Sequence, residues 1–377
     1  MILARMGPAP CPTLCHIQAN LQSGMKSCKP QEPHAPTSNM ANVDTRGRPL
    51  RDLRISVTDR CNFRCKYCMP KETYEEHKFL PRSGILTFEE ITQIVDSLSP
   101  IGLKKVRLTG GEPLLRRNIT ELITMLRNGH SELDIALTTN GVLLAKMANA
   151  LADSGLNRVT ISLDSLNENQ YKELADVENS ATPESVIQAI EIAQAAGLTC
   201  KVNTVVQAGV NEDQVVPLIE RLGPLGVPIR FIEFMDVGMT NDWNLDKVVT
   251  GAKLREMISQ KLGPLEKVAP GHKSDVARRW KTPQGWEIGF IESISSPFCG
   301  DCSRARLSAD GHIFTCLFSN KGHDIKSIIR MEATNDEIAQ AIQSIWQARD
   351  DAYSEQRGKN TGQASGNDKI EMSFIGG

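Results

Sequence analysis

From Leu53 onward, short runs of aliphatic and β-branched residues alternate with stretches whose apolar positions recur every three or four residues. The short runs predict strands over Leu53–Val57, Lys105–Thr109, Leu133–Thr139, Arg158–Leu163, Cys200–Val206 and Ile229–Phe234. The longer period predicts helices over Phe88–Leu98, Ile119–Asn128, Leu144–Ser154, Pro183–Ala196 and Glu212–Leu222. Thr87 followed by Glu90 forms a capping-box pattern at the first helix, and Gly155 and Gly197 are suited to end two others. Alternating β and α elements imply parallel strands joined by helical crossovers, and six repeats predict an α/β fold with a partial (βα)6 TIM-like barrel. In such sheets reactive groups gather at the C-terminal strand ends. The unusual residues fall there: a cysteine loop after Val57, Gly110–Pro113 after Thr109, and Asn140-Gly141 after Thr139. Asp164 and Met235 likewise follow directly on strands.

Beyond about residue 260 the alternation weakens, and Gly263-Pro264 and Pro270-Gly271 punctuate it. We therefore divide the chain into an arm over residues 1–48, a barrel over 49–262 and a smaller α+β region over 263–377. The arm is rich in proline and without periodicity, so it is expected to be disordered, and it lacks the pattern of a secretory signal. A net charge of −2 argues against partnership with nucleic acid or an anionic membrane surface. No apolar run approaches the roughly 20 residues needed to span a bilayer.

Six of the ten cysteines form two triplets, Cys61/Cys65/Cys68 and Cys299/Cys302/Cys316. Clustering of this kind without a signal peptide points to metal ligation in a reducing cytoplasm. The first triplet has the spacing CxxxCxxC on one loop. Thiolates are soft ligands for iron–sulfur clusters or zinc. Three of them on a four-iron cluster leave one iron open to an exogenous chelate. Tyr67, beside Cys68, offers an aromatic face to an adenine. The bland alternative is a zinc site completed by His77. For Cys299-Gly-Asp-Cys302 with Cys316, zinc completed by His312 or His323 is a stronger competitor, because CxxC is common in zinc sites.

The CxxxCxxC loop followed one βα unit later by Gly110-Gly111-Glu112-Pro113 resembles the radical S-adenosylmethionine superfamily and its GGEP motif. Within it, the chain resembles the GTP 3′,8-cyclases that open molybdenum cofactor biosynthesis. The likeness runs from about Leu50 to Gly377, through DLRISVTDRC from Asp52, KVRLTGGEP from Lys105, TTNG from Thr138, IRFIEFM from Ile229, the Cys299–Leu307 segment and the terminal Gly376-Gly377. The resemblance implies two 4Fe–4S clusters, on Cys61, Cys65 and Cys68 and on Cys299, Cys302 and Cys316. It implies S-adenosylmethionine contacts at Tyr67, Gly111, Ser162 and Met235. It places GTP against Arg54, Lys105, Arg107, Thr138, Lys201, Arg230, Arg304, Ala305 and Arg306, with the guanine on the open iron of the second cluster. It assigns the rearrangement help from Arg304, Arg306 and a tail ending in Gly376 and Gly377.

An adenosyl radical taking hydrogen from the ribose 3′ carbon, followed by attack on guanine carbon 8, is the chemistry this implies. An electron donor, a downstream cyclic pyranopterin monophosphate synthase and a homodimer are the implied partners. A triphosphate carries roughly four negative charges, and arginine forks meet phosphate oxygens two at a time, so the basic residues suit that role. Two other readings stand beside it. One is a radical enzyme that modifies a peptide, although it gives no reason for the arginines. The other is a zinc-stabilised binding module without catalysis.

Overall fold

The computed structural model describes residues 42–74, 77–176, 181–357 and 369–376, and these belong to one compact unit. Twelve strands make a single sheet. In chain order they are β1 (Asp52–Ser56), β2 (Lys105–Thr109), β3 (Asp134–Thr139), β4 (Arg158–Ser162), β5 (Thr199–Val206) and β6 (Ile229–Glu233). β7 (Glu266–Val268), β8 (Arg278–Lys281), β9 (Glu287–Ile291), β10 (Arg304–Leu307), β11 (His312–Phe314) and β12 (His323–Asp324) follow. The first six strands lie side by side and parallel, each within about a residue of its predicted limits.

The sheet does not stop at six. β10 adds parallel to β1 and β9 adds parallel to β6, so the C-terminal region supplies both edges of the barrel wall. β11 and β12 continue one edge antiparallel, and β8 and β7 the other. Residues on one face of β10, β1 to β6 and β9 all line a common cavity, so the sheet curls around it. The opposite face carries the core: Leu53 and Ile55 on β1, Val106 and Leu108 on β2, and Ile135 and Leu137 on β3 are fully buried. Each such side chain contributes about 1.5–3 kcal/mol of transfer free energy.

Helices cover that outer face for the reasons the sequence provides. Phe88–Leu98 buries Ile91, Ile94, Val95 and Leu98, and its Thr87–Glu90 box makes both reciprocal bonds, at 3.1 and 2.8 Å. Gly155 and Gly197 follow their helices with φ of +93° and +88°, conformations that favour glycine. The helix expected over Glu212–Leu222 begins instead with a 3₁₀ turn and is α-helical over Val215–Leu222. Pro217, which has no N–H to donate, thereby falls in the first α turn. The helices Glu168–Ala175, Gly251–Leu262 and Asn335–Gln347 were not among those expected.

The first 41 residues of the predicted arm lie outside the described residues. Residues 42–48, which the sequence also placed in the arm, are packed on the fold. Asp44 and Arg48 form a buried ion pair at 2.5 Å, and Arg349 reaches the same carboxylate at 3.3 Å. Proline content signals a lack of periodicity but carries no information about such a pairing. Among the described residues, no helix is long and apolar enough to cross a membrane.

Candidate active site

The cysteine loop leaves β1 and is fixed by backbone bonds from two neighbours. Arg64 and Lys66 donate to the carbonyls of Ala175 and Leu174, at 3.0 and 3.2 Å, so the unexpected helix Glu168–Ala175 pins the middle of the loop. On the other side, Gly111 N donates to Thr58 O at 2.9 Å and Glu112 N to Arg60 O at 2.8 Å. A Cβ at Gly110 or Gly111 would overlap the carbonyl oxygens of Thr58 and Arg60. The two glycines thus permit close approach to the cysteine loop itself, whereas the sequence had pointed to a ligand. Glu112 is buried and ties three pieces together: it accepts from Leu114 N, Thr139 Oγ1 and Asn140 N at 2.8–3.0 Å. Asn140 in turn donates to Asn62 on the cysteine loop at 2.9 Å.

Cys61, Cys65 and Cys68 face the cavity with Tyr67, Gly111, Ser162 and Met235 around them. Burial pushes the Cys61 thiol up to about 11 and Cys68 up to about 12, and Cys65 well up. The thiols also raise one another, so a cation is what the set lacks, as metal ligation supplies. The Tyr67 hydroxyl donates to Asp164 at 2.7 Å, and Val205 N donates to the other oxygen at 2.8 Å. Burial raises the Asp164 carboxyl to about 6 against those bonds. Asp164 lines the cavity but was not among the predicted contacts.

The second triplet stands across the same cavity. Cys299 opens a 3₁₀ turn whose carbonyl accepts from Arg48 at 2.9 Å, and Cys302 O accepts from Arg349 at 2.8 Å. Burial acts to raise the Cys302 thiol, but Arg304 and Arg349 outweigh it and bring it down to about 6. Arg304 donates to its sulfur at 3.3 Å. Cys316 lies two residues beyond β11, and burial pushes it up to about 11. The zinc readings lack their ligands. His77 packs tilted against Tyr74 and edge-on to Phe79, His312 faces Asp310 at 3.1 Å, and His323 is exposed on β12. Among the described residues no three His, Cys, Asp or Glu side chains converge on one ion. Cysteines that bind separate irons of a cluster have no need to converge in that way.

Between the triplets the cavity, about 660 Å³, is walled with cations. Alternate residues of the strands point inward. Arg54 is in register with Arg306 on one side and Arg107 on the other. Lys201 neighbours Thr160, and Arg230 neighbours Asn203. Arg107 is oriented by the hydroxyls of Thr138 and Thr160, at 3.0 and 2.9 Å. Burial and then mutual repulsion lower five of these cations: Lys105 to about 7, Lys201 to about 6, Arg107 and Arg306 to about 10, and Arg54 well down. Asp134 is shared by Lys105, at 3.5 Å, and Arg158. Arg158 belongs to the wall and was missed. Its signal was present, because it shares strand parity with Ser162. Ala305 is the predicted contact whose side chain the fold turns away: it is fully buried in the core behind β10.

The tail enters from the other side. Arg306 donates to Ile375 O at 3.4 Å and also to Gly376 O. A Cβ on Gly376, where φ is +71°, would overlap Thr109 at the end of β2. Gly377 lies outside the described residues.

Comparison with known proteins agrees with this arrangement. The Radical SAM superfamily matches residues 55–222, and Molybdenum Cofactor Synthesis C matches residues 227–355. A GTP 3′,8-cyclase of Staphylococcus haemolyticus is 44% identical over 337 residues, covering 89% of this chain and 98% of that protein. One from Staphylococcus aureus is 43% identical over the same share. The chain belongs to the GTP 3′,8-cyclase family.

Among solved structures, Streptococcus suis SuiB bound to S-adenosylmethionine matches with a TM-score of 0.55 at 17% identity, covering 79% of this chain and 68% of that one. SuiB alone matches at 0.56 and 16%, covering 82% and 68%. That likeness is one of fold. GTP 3′,8-cyclases carry two 4Fe–4S clusters and use S-adenosylmethionine. The two open-sided cysteine sets and the cavity between them fit those groups.

Proposed function

We propose that the chain converts GTP to (8S)-3′,8-cyclo-7,8-dihydroguanosine 5′-triphosphate, the first step of molybdenum cofactor biosynthesis. The observation that carries the reading is one cavity lined at once by both cysteine triplets and by the inward cations of the strands. When bound, the first cluster and S-adenosylmethionine supply the 5′-deoxyadenosyl radical that takes hydrogen from the ribose 3′ carbon. Cys61, Cys65 and Cys68 hold that cluster. Tyr67, Gly111, Ser162 and Met235 hold the S-adenosylmethionine, with Asp164 fixing the Tyr67 ring through its hydroxyl. Cys299, Cys302 and Cys316 would hold the second cluster, which with three thiolates would be able to bind the guanine.

Arg54, Lys105, Arg107, Lys201, Arg230, Arg304 and Arg306 receive the triphosphate, with Arg158 added. Their mutual repulsion in the free protein is relieved by an anion of roughly four charges, and charge-assisted bonds in this setting are strong. Thr138 acts through Arg107, and Ala305 offers backbone alone. The same contacts position carbon 8 and carbon 3′ and keep water from a radical that reacts with whatever is nearest. Gly376 completes the wall beside Arg306 and, together with Gly377, assists the rearrangement. We further place the enzyme in the cytoplasm, as a homodimer, served by an electron donor and followed by cyclic pyranopterin monophosphate synthase. Clustered thiols favour a reducing compartment.

GTP deuterated at the ribose 3′ carbon tests the reading. Deuterium is expected in the 5′-deoxyadenosine. Unlabelled 5′-deoxyadenosine formed alongside product would place the abstraction elsewhere and sink the proposed chemistry.

A further inference from the structure

The tail is held at nearly every second residue along its described length. Lys369 Nζ donates to Asp236 O at 3.1 Å and lies over the Tyr353 ring at 5.5 Å. Ser373 Oγ is 2.7 Å from the Tyr74 hydroxyl. Ile375 is fully buried, and Gly376 ends against Thr109 and Arg306.

Between Lys369 and Ser373 comes the contact with the most specific geometry. Glu371 accepts from Met239 N through Oε1 at 2.9 Å and from Thr240 Oγ1 through Oε2 at 3.0 Å. Both donors belong to the loop after β6, a few residues past Met235. That loop approaches the carboxylate so closely that a Cβ on Gly238, where φ is +76°, would overlap Glu371 Oε2. A carboxylate gripped by two donors over a bare glycine defines a register along the chain, which apolar packing alone does not.

We propose that Glu371 is a positioning residue that sets the register of the C-terminal tail, so that Gly376 reaches the ends of β1 and β2 beside Arg306. The inference rests on the tail taking part in the reaction. Four residues separate Glu371 from Gly376, and their backbone, turned by the short helix Met372–Ile375, spans the distance from the β6 loop to β2. One residue added within that span displaces Gly376 by one backbone step. Misplacement on the order of 1 Å near reacting atoms costs about a hundredfold in rate. A residue added upstream of Lys369 leaves the grip and everything after it in place, and chain length there has only a weak cost.

The test compares reconstituted full-length variants by two readouts, cyclised GTP and 5′-deoxyadenosine. Inserting one glycine directly after Glu371 is expected to lower cyclised GTP about a hundredfold while 5′-deoxyadenosine still forms. Inserting one between residues 363 and 364 is expected to change both by less than about twofold. Glu371→Ala should uncouple the two products in the same direction, and Glu371→Gln, which keeps one acceptor oxygen, should recover part of the yield. Equal yields from the two insertions, whether both high or both low, would overturn the register role. So would full coupling in Glu371→Ala. A chain ending at Ile375 separates the two levels: normal cyclised GTP from it removes the tail's role altogether. Loss there with both insertions tolerated leaves that role standing and removes Glu371 from it.

Discussion

Lys105 and Lys201 are held in a wall of like charge, where burial first and neighbouring guanidinium groups second bring them down to about 7 and 6 from an ordinary value of 10.5. The sign of the consequence follows. Between those values and 10.5 the unfolded chain holds protons that the folded chain has released. These two groups therefore make the GTP-free protein more stable as pH rises from about 6 to 10. A triphosphate reverses the balance by favouring the charged lysines. GTP binding near pH 8 is expected to take up protons, roughly one to two per nucleotide, and affinity should fall as pH climbs further. Calorimetric titration in buffers of differing ionisation enthalpy measures the uptake directly, and binding without it would place the phosphates away from these lysines. At this scale the sequence was only partly legible. Arg54, Arg107 and Arg230 came from the family resemblance, with the apolar strands around Arg107 and Arg230 in support, and all three line the cavity. That the Ala305 side chain turns from the cavity while Arg158 lies along it was not read, because which face of a strand meets the cavity depends on register with its neighbours.

The GGEP segment illustrates how elements, more than single groups, make the site. Its glycines let the end of β2 lie against the cysteine loop, and Glu112 joins both to the end of β3. Gly111→Ala puts a methyl group into Arg60 O and must move the loop bearing Cys61. The expected result is a protein that folds but loads one cluster, with iron falling from about eight to about four atoms per chain. Full iron with normal S-adenosylmethionine cleavage would show that the close approach is unimportant. The six central strands and five of the helices packed on them were readable from their period, helped by the Thr87–Glu90 capping box and the glycines at 155 and 197. The helix Glu168–Ala175 was not, since its buried residues amount to Tyr171, Leu174 and Ala175 in a polar octet. Asn167 at its N-cap was the signal available, with its side chain accepting from Gln170 N.

Across the whole molecule, the two family matches meet in one sheet. β9 and β10 extend the six-stranded run at both edges, and β10 carries Arg304 and Arg306 into the cavity directly after the second cysteine pair. Strands of four or five residues that directly follow a hairpin or a loop, as these two do, leave little periodicity to read. The charged inward face of β10 resembles a surface turn until the cavity it faces is known. The fold thus brings the two cysteine triplets to one basic chamber, and the tail ends beside its Arg306.

The most direct measurement is to incubate the anaerobically reconstituted protein with S-adenosylmethionine, dithionite and GTP and weigh the products by mass spectrometry. A GTP isomer formed together with 5′-deoxyadenosine, and absent from a Cys65→Ser variant, is the predicted result. If 5′-deoxyadenosine accumulates while GTP stays unchanged, the chamber makes its radical for another substrate and the central claim is wrong.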